Sequence, residues 1–123
     1  MLRMMIVDDS NIIRSKIARA HDAQRFHVVA VASNGAEAVR LFLEHEPEVV
    51  TMDLTMPEMD GIACISRLVE IKPDVLILVI SALSDQATGI EALERGASSF
   101  MLKPFTDADL RAALDELTEH LHV

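Results

Sequence analysis

The sequence predicts an α/β fold: one doubly wound parallel sheet of five strands, with five helices. Short apolar runs rich in β-branched residues alternate with longer segments of helical periodicity. Runs that are apolar at nearly every position are typical of parallel strands buried on both faces. Strands that alternate with helices favour β-α-β units, which build parallel sheets. The chain has 123 residues, so we expect one domain over residues 1–123.

The apolar runs give the predicted strands in chain order. We place them at Leu2–Val7, His27–Ala32, Val49–Met52, Leu76–Ile80 and Ser99–Leu102. The periodic segments between and after them give the predicted helices, at Asn11–Ala23, Gly35–Glu44, Gly61–Lys72, Gln86–Arg95 and Asp107–Leu121. Each strand is therefore followed by one helix.

Local signals mark the starts of two helices. Asn34 followed by Glu37 is typical of a reciprocal cap at the second helix. Thr106 and Asp109 form a weaker version of this pattern at the fifth helix. Both helices are thus predicted to begin with side chains that satisfy free backbone N–H groups.

The fourth helix is predicted to be the weakest of the five. Gly89 lies inside it, and an internal glycine costs roughly 1 kcal/mol relative to alanine. Its first turn, Gln86 to Thr88, offers few apolar contacts, and Gly96 is well placed to end the helix. We expect this helix to be the most mobile.

Composition narrows the possible functions. The net charge is −9, with 20 acidic and 11 basic residues, so direct binding to nucleic acid is not expected. No apolar run is long enough to cross a membrane, and Asp8 and Asp9 interrupt the first run, so no secretory signal is expected. The single Cys64, expected near the core, fits a reducing compartment, and the cytoplasm is the predicted location.

Five polar residues follow the ends of four predicted strands: Asp8, Asp9, Asp53, Ser81 and Lys103. In an open parallel sheet, binding sites form outside the carboxyl ends of the strands, so these residues should meet in one crevice. Carboxylate oxygens favour Mg²⁺, with Mn²⁺ also suitable, over zinc. A carboxylate can also attack phosphorus and form an aspartyl-phosphate. The set therefore predicts a site for a divalent cation and a phosphoryl group.

Each of these residues also has a simpler interpretation when taken alone. Asp8 and Asp9 could cap the first helix, and Asp53 could form a turn before Pro57. Ser81 could be a capping residue and Lys103 an ordinary surface lysine. The predicted convergence at one edge of the sheet favours the joint site.

Three motifs give a resemblance to a known family. They are Ile6-Val7-Asp8-Asp9-Ser10, Asp53-Leu54-Thr55-Met56-Pro57-Glu58-Met59-Asp60-Gly61 and Lys103-Pro104-Phe105. With them the sequence resembles the response-regulator receiver family over essentially its whole length. The resemblance implies the flavodoxin-like strand order 2-1-3-4-5, which is that of this family. It also implies a cis peptide bond between Lys103 and Pro104, since X-Pro bonds tolerate this form.

The resemblance implies how the site would work. Asp53 would accept a phosphoryl group from the phosphohistidine of a histidine kinase. Asp9 and Asp53 would bind Mg²⁺ directly, together with the carbonyl of Thr55. Asp8 would act mainly through a water molecule on the metal.

The same resemblance implies a switch. Lys103 would pair with the phosphoryl group, Ser81 would be the switch hydroxyl and Phe100 the switch aromatic residue. The surface formed by the fourth helix, fifth strand and fifth helix would change on phosphorylation and bind an output partner. Thr55 and Leu83 would tune loss of the phosphoryl group, and the apolar Leu83 predicts slow loss.

The partner and pathway follow from resemblance alone. The motifs are particularly similar to those of single-domain chemotaxis regulators, whose output would be a flagellar-motor switch protein. The chain ends soon after the fifth helix, so we expect no attached output domain. We also expect a monomer or a weak dimer, with the face between the fourth helix and the fifth helix as the place for a dimer contact. A receiver taken from a DNA-binding regulator, or a phosphorelay intermediate, would fit the same residues.

Two other classes share features with this sequence. Aspartate-nucleophile phosphatases carry a second acid two residues after the nucleophile, but Thr55 stands at that position. Flavodoxins carry a phosphate-binding loop after the first strand, where Asp8 and Asp9 would repel a phosphate. We therefore expect a binding switch that catalyses only its own phosphorylation and dephosphorylation, and not a conventional enzyme.

Overall fold

Five strands and five helices alternate along the chain in a computed structural model that describes residues 1–54, 56, 59–82 and 86–120. The strands are β1 (Leu2–Val7), β2 (Phe26–Ala32), β3 (Val49–Met52), β4 (Leu76–Ser81) and β5 (Ser99–Leu102). The helices are α1 (Asn11–Ala20), α2 (Gly35–His45), α3 (Gly61–Ile71), α4 (Gln86–Glu94) and α5 (Asp107–Leu117).

All neighbouring strands are parallel, and the sheet order is β2-β1-β3-β4-β5. The predicted fold class and strand order are confirmed. The register between β1 and β2 shifts between Met4 and Met5. The strand order brings the carboxyl ends of β1, β3 and β4 together at the centre of one sheet edge.

Helices cover both faces of the sheet, and each face has its own apolar core. On one face the buried residues come from α2, α3 and α4, with Phe42, Ile65 and Leu68 among the largest. On the other face they come from α1 and α5, and Ile17 and Leu114 are fully buried there. Cys64 is fully buried in the first of these cores, as expected.

Helices α3 and α4 end one residue before the predicted position, and α1 and α5 end three and four residues before it. Helix α1 stops at Ala20 because Asp22 forms a turn of its own, accepting hydrogen bonds at its side chain from Gln24 N (3.0 Å) and at its carbonyl from Arg25 N (3.0 Å). Helix α5 ends at Leu117, where the hydroxyl of Thr118 donates 2.8 Å to the carbonyl of Leu114. The predicted end at Leu121 lies outside the described residues.

The predicted caps are present, with one different partner. Asn34 caps α2 by accepting from Glu37 N at 2.8 Å, but the Glu37 carboxylate accepts from Ser33 N at 2.7 Å and not from Asn34 N. Thr106 and Asp109 form a complete reciprocal box at α5.

Gly96 ends α4 in the expected manner. Its φ of +115° lies in the region that favours glycine, and its N–H donates to Leu93 O at 3.1 Å. Ala97 N donates to Ala92 O at 3.0 Å, which completes the two-bond C-terminal motif. Among the described residues, none of the helices has the length and apolar character that a membrane span needs.

Candidate functional site

The carboxyl edge of the sheet brings the predicted site residues together. Backbone hydrogen bonds continue beyond the strand ends: Asp8 N donates to Ala32 O (3.1 Å), Asp53 N to Val7 O (2.9 Å) and Lys103 N to Ser81 O (2.9 Å). Because each residue is tied to the neighbouring strand, the four loop starts are held side by side. Backbone hydrogen bonds therefore position the loops that form the crevice, independently of the site side chains.

Three carboxylates form a cluster in this crevice. Asp8, Asp9 and Asp53 each offer an oxygen that lies within 4.8 Å of the other two. Asp8 and Asp53 are 1% and 5% exposed, whereas Asp9 is exposed. All-oxygen ligands at this separation, open to solvent on one side, suit a hard cation that keeps some of its waters.

Lys103 provides the positive charge of the site. Its Nζ donates 2.8 Å to Asp8 Oδ2 and lies 3.6 Å from Asp53 Oδ1. The Lys103 side chain is 15% exposed, so the contact is shielded from bulk water. One ammonium group therefore faces two of the three carboxylates and offsets part of their repulsion.

The loop after β1 is shaped by its own hydrogen bonds. Asp8 Oδ1 accepts from Ser10 N at 2.8 Å, and Arg14 donates to the carbonyl of Asp8 at 2.7 Å. Ser10 is the residue that caps α1, accepting from Ile13 N at 3.3 Å. Asp8 and Asp9 are therefore not the capping residues of this helix, and their carboxylates are turned to the crevice.

The loop after β3 returns close to Asp53 and needs glycine to do so. A Cβ atom at Gly61 would lie 2.3 Å from the carbonyl oxygen of Asp53 and 2.5 Å from Leu54 Cα. Gly61 N donates to Leu54 O at 2.9 Å, and Asp60 caps α3 by accepting from Ala63 N at 2.9 Å. The glycine in the Met-x-Gly motif thus permits a close backbone approach next to the central carboxylate.

Ser81 and Phe100 lie on the α4 side of the site. Ser81 is the last residue of β4 and is 1% exposed. Phe100 is partly buried on β5 and packs against α4, where a Cβ at Gly89 would be 3.6 Å from two of its ring carbons. Thr55 and Leu83, which the resemblance links to the metal and to dephosphorylation, lie outside the described residues.

Two residues that the sequence analysis did not select also contact the site loops. Arg14 binds the carbonyl of Asp8, and Lys16 donates to the carbonyl of Phe105, just beyond the cis Lys103–Pro104 peptide. Their partners are backbone carbonyls, which leave no signal in a sequence. Only the basic character of two partly buried positions on α1 hints at such a role.

The one cysteine is not a competing nucleophile. Cys64 is buried, its thiol faces the carbonyl of Gly35 at 3.8 Å, and burial, helped by the charge of Asp60, raises its pKa to about 12. The thiol stays protonated at neutral pH, and thiolate is the reactive form.

Comparison with known proteins identifies the class. The model of the response regulator receiver domain family matches residues 4–115. The chain belongs to the response regulator receiver domain family. Receiver domains are signalling proteins, not catalytic enzymes; they interact with histidine kinases and output targets and bind Mg²⁺ in an acidic pocket.

Individual relatives narrow the class further. The chemotaxis protein CheY of Bacillus subtilis is 44% identical over 103 residues, covering 84% of this chain and 86% of that protein. CheY of Thermotoga maritima is 39% identical over 117 residues, covering 95% and 98%. This chain is a CheY-like receiver domain of a two-component response regulator.

Solved structures agree with this placement. The REC domain of AraT, a response regulator from Geobacillus stearothermophilus, superposes with a TM-score of 0.91 at 32% identity, covering 98% of this chain and 95% of that one. A chain of the CheX–CheY–BeF3–Mg complex from Borrelia burgdorferi gives a TM-score of 0.87 at 30% identity, covering 99% and 90%.

Proposed function

We propose that this chain is a phosphorylation-activated switch in which Asp53 accepts a phosphoryl group from a histidine kinase. The observation that carries the proposal is the arrangement around Asp53. Its buried carboxylate lies within 4.8 Å of two other carboxylates and 3.6 Å from the Lys103 ammonium. A nucleophile between a cation-binding cluster and a fixed ammonium group is what phosphoryl transfer needs, because that reaction depends on positioning and charge neutralisation.

The metal site would use Asp8, Asp9 and Asp53, with the Thr55 carbonyl as a further ligand. The donor set fits Mg²⁺, and Mn²⁺ has similar ligand preferences. When bound, the ion would supply positive charge to the phosphoryl oxygens and relieve repulsion among the carboxylates. The Lys103 Nζ atom lies 2.8 Å from Asp8 Oδ2 and already neutralises part of the charge on that carboxylate.

In the transfer step, a carboxylate oxygen of Asp53 attacks the phosphorus of the kinase phosphohistidine. The P–O bond to Asp53 forms while the P–N bond breaks, and the imidazole nitrogen keeps the electron pair. Lys103 would pair with the phosphoryl oxygens during transfer. The acyl phosphate would later be hydrolysed by water, with Thr55 and the apolar Leu83 controlling access and making the loss slow.

The switch would run from the site to α4 and β5. Ser81 would hydrogen-bond the phosphoryl group, and Phe100 would change rotamer against α4. On α4, Ile90 and Leu93 are 55% and 47% exposed, and Leu102 of β5 is 46% exposed. These apolar side chains on the α4–β5–α5 face could bind an output partner once that face is remodelled. A single Phe100 rotamer with and without beryllofluoride would refute this coupling.

Chemotaxis is the pathway that the relatives favour, with a flagellar-motor switch protein as the output partner. In that reading residues 1–123 form one domain that acts in the cytoplasm as a monomer or weak dimer. A second reading has its own support: a protein-glutamate methylesterase of Carboxydothermus hydrogenoformans is 39% identical over 98% of this chain, which covers 34% of that protein. Under this second hypothesis the chain would be a receiver domain of a longer regulator, such as a DNA-binding one, or a phosphorelay intermediate.

The first test is intact mass after incubation with acetyl phosphate and Mg²⁺. We expect one labile phosphoryl adduct on the wild type and none on Asp53→Asn. The matched control is Asp74→Asn, an exposed aspartate far along the chain from the cluster, which should label like the wild type. An equal adduct on Asp53→Asn would refute Asp53 as the acceptor.

An unlabelled wild type would be tested next with a phosphorylated histidine kinase as donor. Failure with both donors would refute the phosphoryl switch and leave a phosphorylation-independent interaction module. The chemotaxis reading is tested by binding of a purified flagellar-motor switch protein. It requires tighter binding in the presence of beryllofluoride and Mg²⁺ than in their absence.

A further inference from the structure

Lys16, on helix α1, holds the loop that carries Lys103. Its Nζ donates a hydrogen bond to the backbone carbonyl of Phe105, two residues beyond Lys103. The same ammonium group lies 4.5 Å from the centroid of the Phe105 ring, which is a cation–π arrangement. Phe105 is 4% exposed and packs in the α1/α5 core. Lys16 therefore contacts both the backbone and the side chain of a buried residue next to the site.

A lysine at this position is unusual for its surroundings. Ile13, Ile17 and Ala20 form the side of α1 that packs on the α1/α5 core, and Lys16 is partly buried beside them. Helical periodicity favours an apolar side chain there. A partly desolvated ammonium group is costly unless it has partners, and here the Phe105 carbonyl and ring supply them.

Helix α1 contacts the backbone beside both residues of the Lys103–Asp8 ion pair. Arg14 donates 2.7 Å to the carbonyl of Asp8, and Lys16 donates to the carbonyl of Phe105. The side chains of Asp8 and Lys103 meet at 2.8 Å. One helix thus fixes the backbone on both sides of the pair with two cationic side chains.

We propose that Lys16 is a positioning residue for phosphoryl transfer, which fixes the loop from which the Lys103 ammonium reaches Asp53. The inference rests on the proposed function. A displacement of about 1 Å can reduce a rate by about 100-fold when a reacting group moves. Because Lys103 would be loosened and not removed, we expect a smaller loss of about 3- to 10-fold on removing the Lys16 ammonium.

The test is the initial rate of Asp53 phosphorylation by acetyl phosphate at saturating Mg²⁺, followed by intact mass. The Asp53 oxygen attacks phosphorus, the P–O bond to the acetyl group breaks, and acetate leaves with the electron pair. Lys16→Met keeps the length of the side chain over Phe105, and Lys16→Arg keeps a cationic donor. Arg19→Met is the matched control, since it removes the same charge from an exposed position of α1.

Support requires three results together. Lys16→Met slows phosphorylation, Lys16→Arg restores most of the rate, and Arg19→Met behaves like the wild type. Equal rates for Lys16→Met and Arg19→Met would overturn the proposal. They would mean that the Lys16 contact with Phe105 does not affect the phosphorylation rate beyond the loss of one positive charge. Thermal melts of all variants identify any rate loss that comes from unfolding.

A double-mutant cycle shows whether Lys16 acts through Lys103. If it does, Lys16→Met has no further effect on the slow rate of Lys103→Met, measured over hours. The same fold-loss in both backgrounds would overturn the proposal and leave Lys16 a purely structural role. A wild type that stays unlabelled with acetyl phosphate and with a phosphorylated histidine kinase refutes the proposed function instead, so the two failures are distinguishable.

Discussion

The α1/α5 side of the molecule and the α4 side flank the same site but are held very differently. Helix α5 buries Leu110, Leu114 and Leu117 against the sheet. In α4, among the side chains described, Ala92 is buried, while Ile90 and Leu93 are about half exposed. The first side has the packing of a structural support, and the second has the packing of an element that can move.

Polar contacts repeat this difference. On the α1/α5 side, two part-buried hydrogen bonds are present: Arg111 donates to the carbonyl of Ala20 at 2.7 Å, and Arg25 donates to the hydroxyl of Thr118 at 3.1 Å. The α4 side has an exposed Arg95 that bonds Ser66 at 3.3 Å. Exposed contacts of this kind contribute little to stability.

The division suits a switch. The carboxylate cluster and Lys103 lie against the well-packed side, where their positions can be fixed before any reaction. Ser81 and Phe100 lie against the weakly packed side, where a local charge event can shift an equilibrium between two arrangements. Strongly and weakly packed regions are thus separated across one sheet edge.

The largest expected effect is a difference in the free energy of unfolding between two leucine-to-alanine variants, one on each side of the molecule. Leu114→Ala should lower the free energy of unfolding by about 2–5 kcal/mol, because Leu114 is fully buried. Leu93→Ala, on the 47% exposed position of α4, should change it by less than about 0.5 kcal/mol. Urea unfolding followed by circular dichroism measures both, since the chain has no Trp and no Tyr for fluorescence. Equal losses would remove the contrast between the two sides.

A smaller effect of opposite sign is expected at Gly89. A Cβ there would meet Phe100 ring carbons at 3.6 Å, which is ordinary contact, so Gly89→Ala adds no clash. It should stabilise the protein by up to about 1 kcal/mol through helix propensity. The added methyl group also packs on the ring, so Phe100 should change rotamer less readily on beryllofluoride binding, as seen in its ring NMR signals.

Gly61→Ala is the matched contrast for that variant. Its Cβ would meet backbone atoms of Asp53 and Leu54 at 2.3 and 2.5 Å, so it should destabilise the protein and weaken phosphorylation. Stabilisation by Gly61→Ala would contradict the close backbone approach beside Asp53, and destabilisation by Gly89→Ala would contradict the ordinary contact distance between Gly89 and Phe100.

The sequence predicted the sheet well because its signals are local and repeated. Parallel strands covered by helices are apolar at most positions, and the bounds of β1, β3 and β5 agree with the prediction. The meeting of Asp8, Asp53 and Lys103 could be predicted for a related reason. In a parallel sheet the carboxyl ends of all strands lie at the same edge, whatever the conformation of the loops.

Other features depend on tertiary neighbours and could not be predicted. The end of α1 is set by the turn at Asp22, and the Glu37 carboxylate bonds Ser33 because the incoming chain places that N–H within reach. Lys16 and Arg14 bond carbonyls of distant loops. Periodicity describes which side of a helix is apolar but not which backbone oxygen a cation will meet.

The smallest predicted effect tests the cap that anchors α5. Hydrogen bonds from the backbone N–H and then the hydroxyl of Thr106, with a lesser contribution from the charge of Lys16, lower the pKa of Asp109 below its ordinary 3.8. A carboxyl whose pKa is depressed on folding stabilises the protein above its unfolded pKa, and this stability is lost as pH falls through the folded pKa. The wild type should therefore be more stable than Asp109→Ala at pH 7. The difference in stability should shrink as the pH falls below about 3.8.

Urea unfolding of both proteins between neutral pH and the acid limit of folding measures this difference. Carboxyl groups present in both proteins contribute equally and do not affect it. A difference that stays constant down to that limit would mean that the Asp109 carboxylate does not stabilise α5 through its charge. The stability of the α1/α5 side would then come from its buried leucines and not from the charge of this cap.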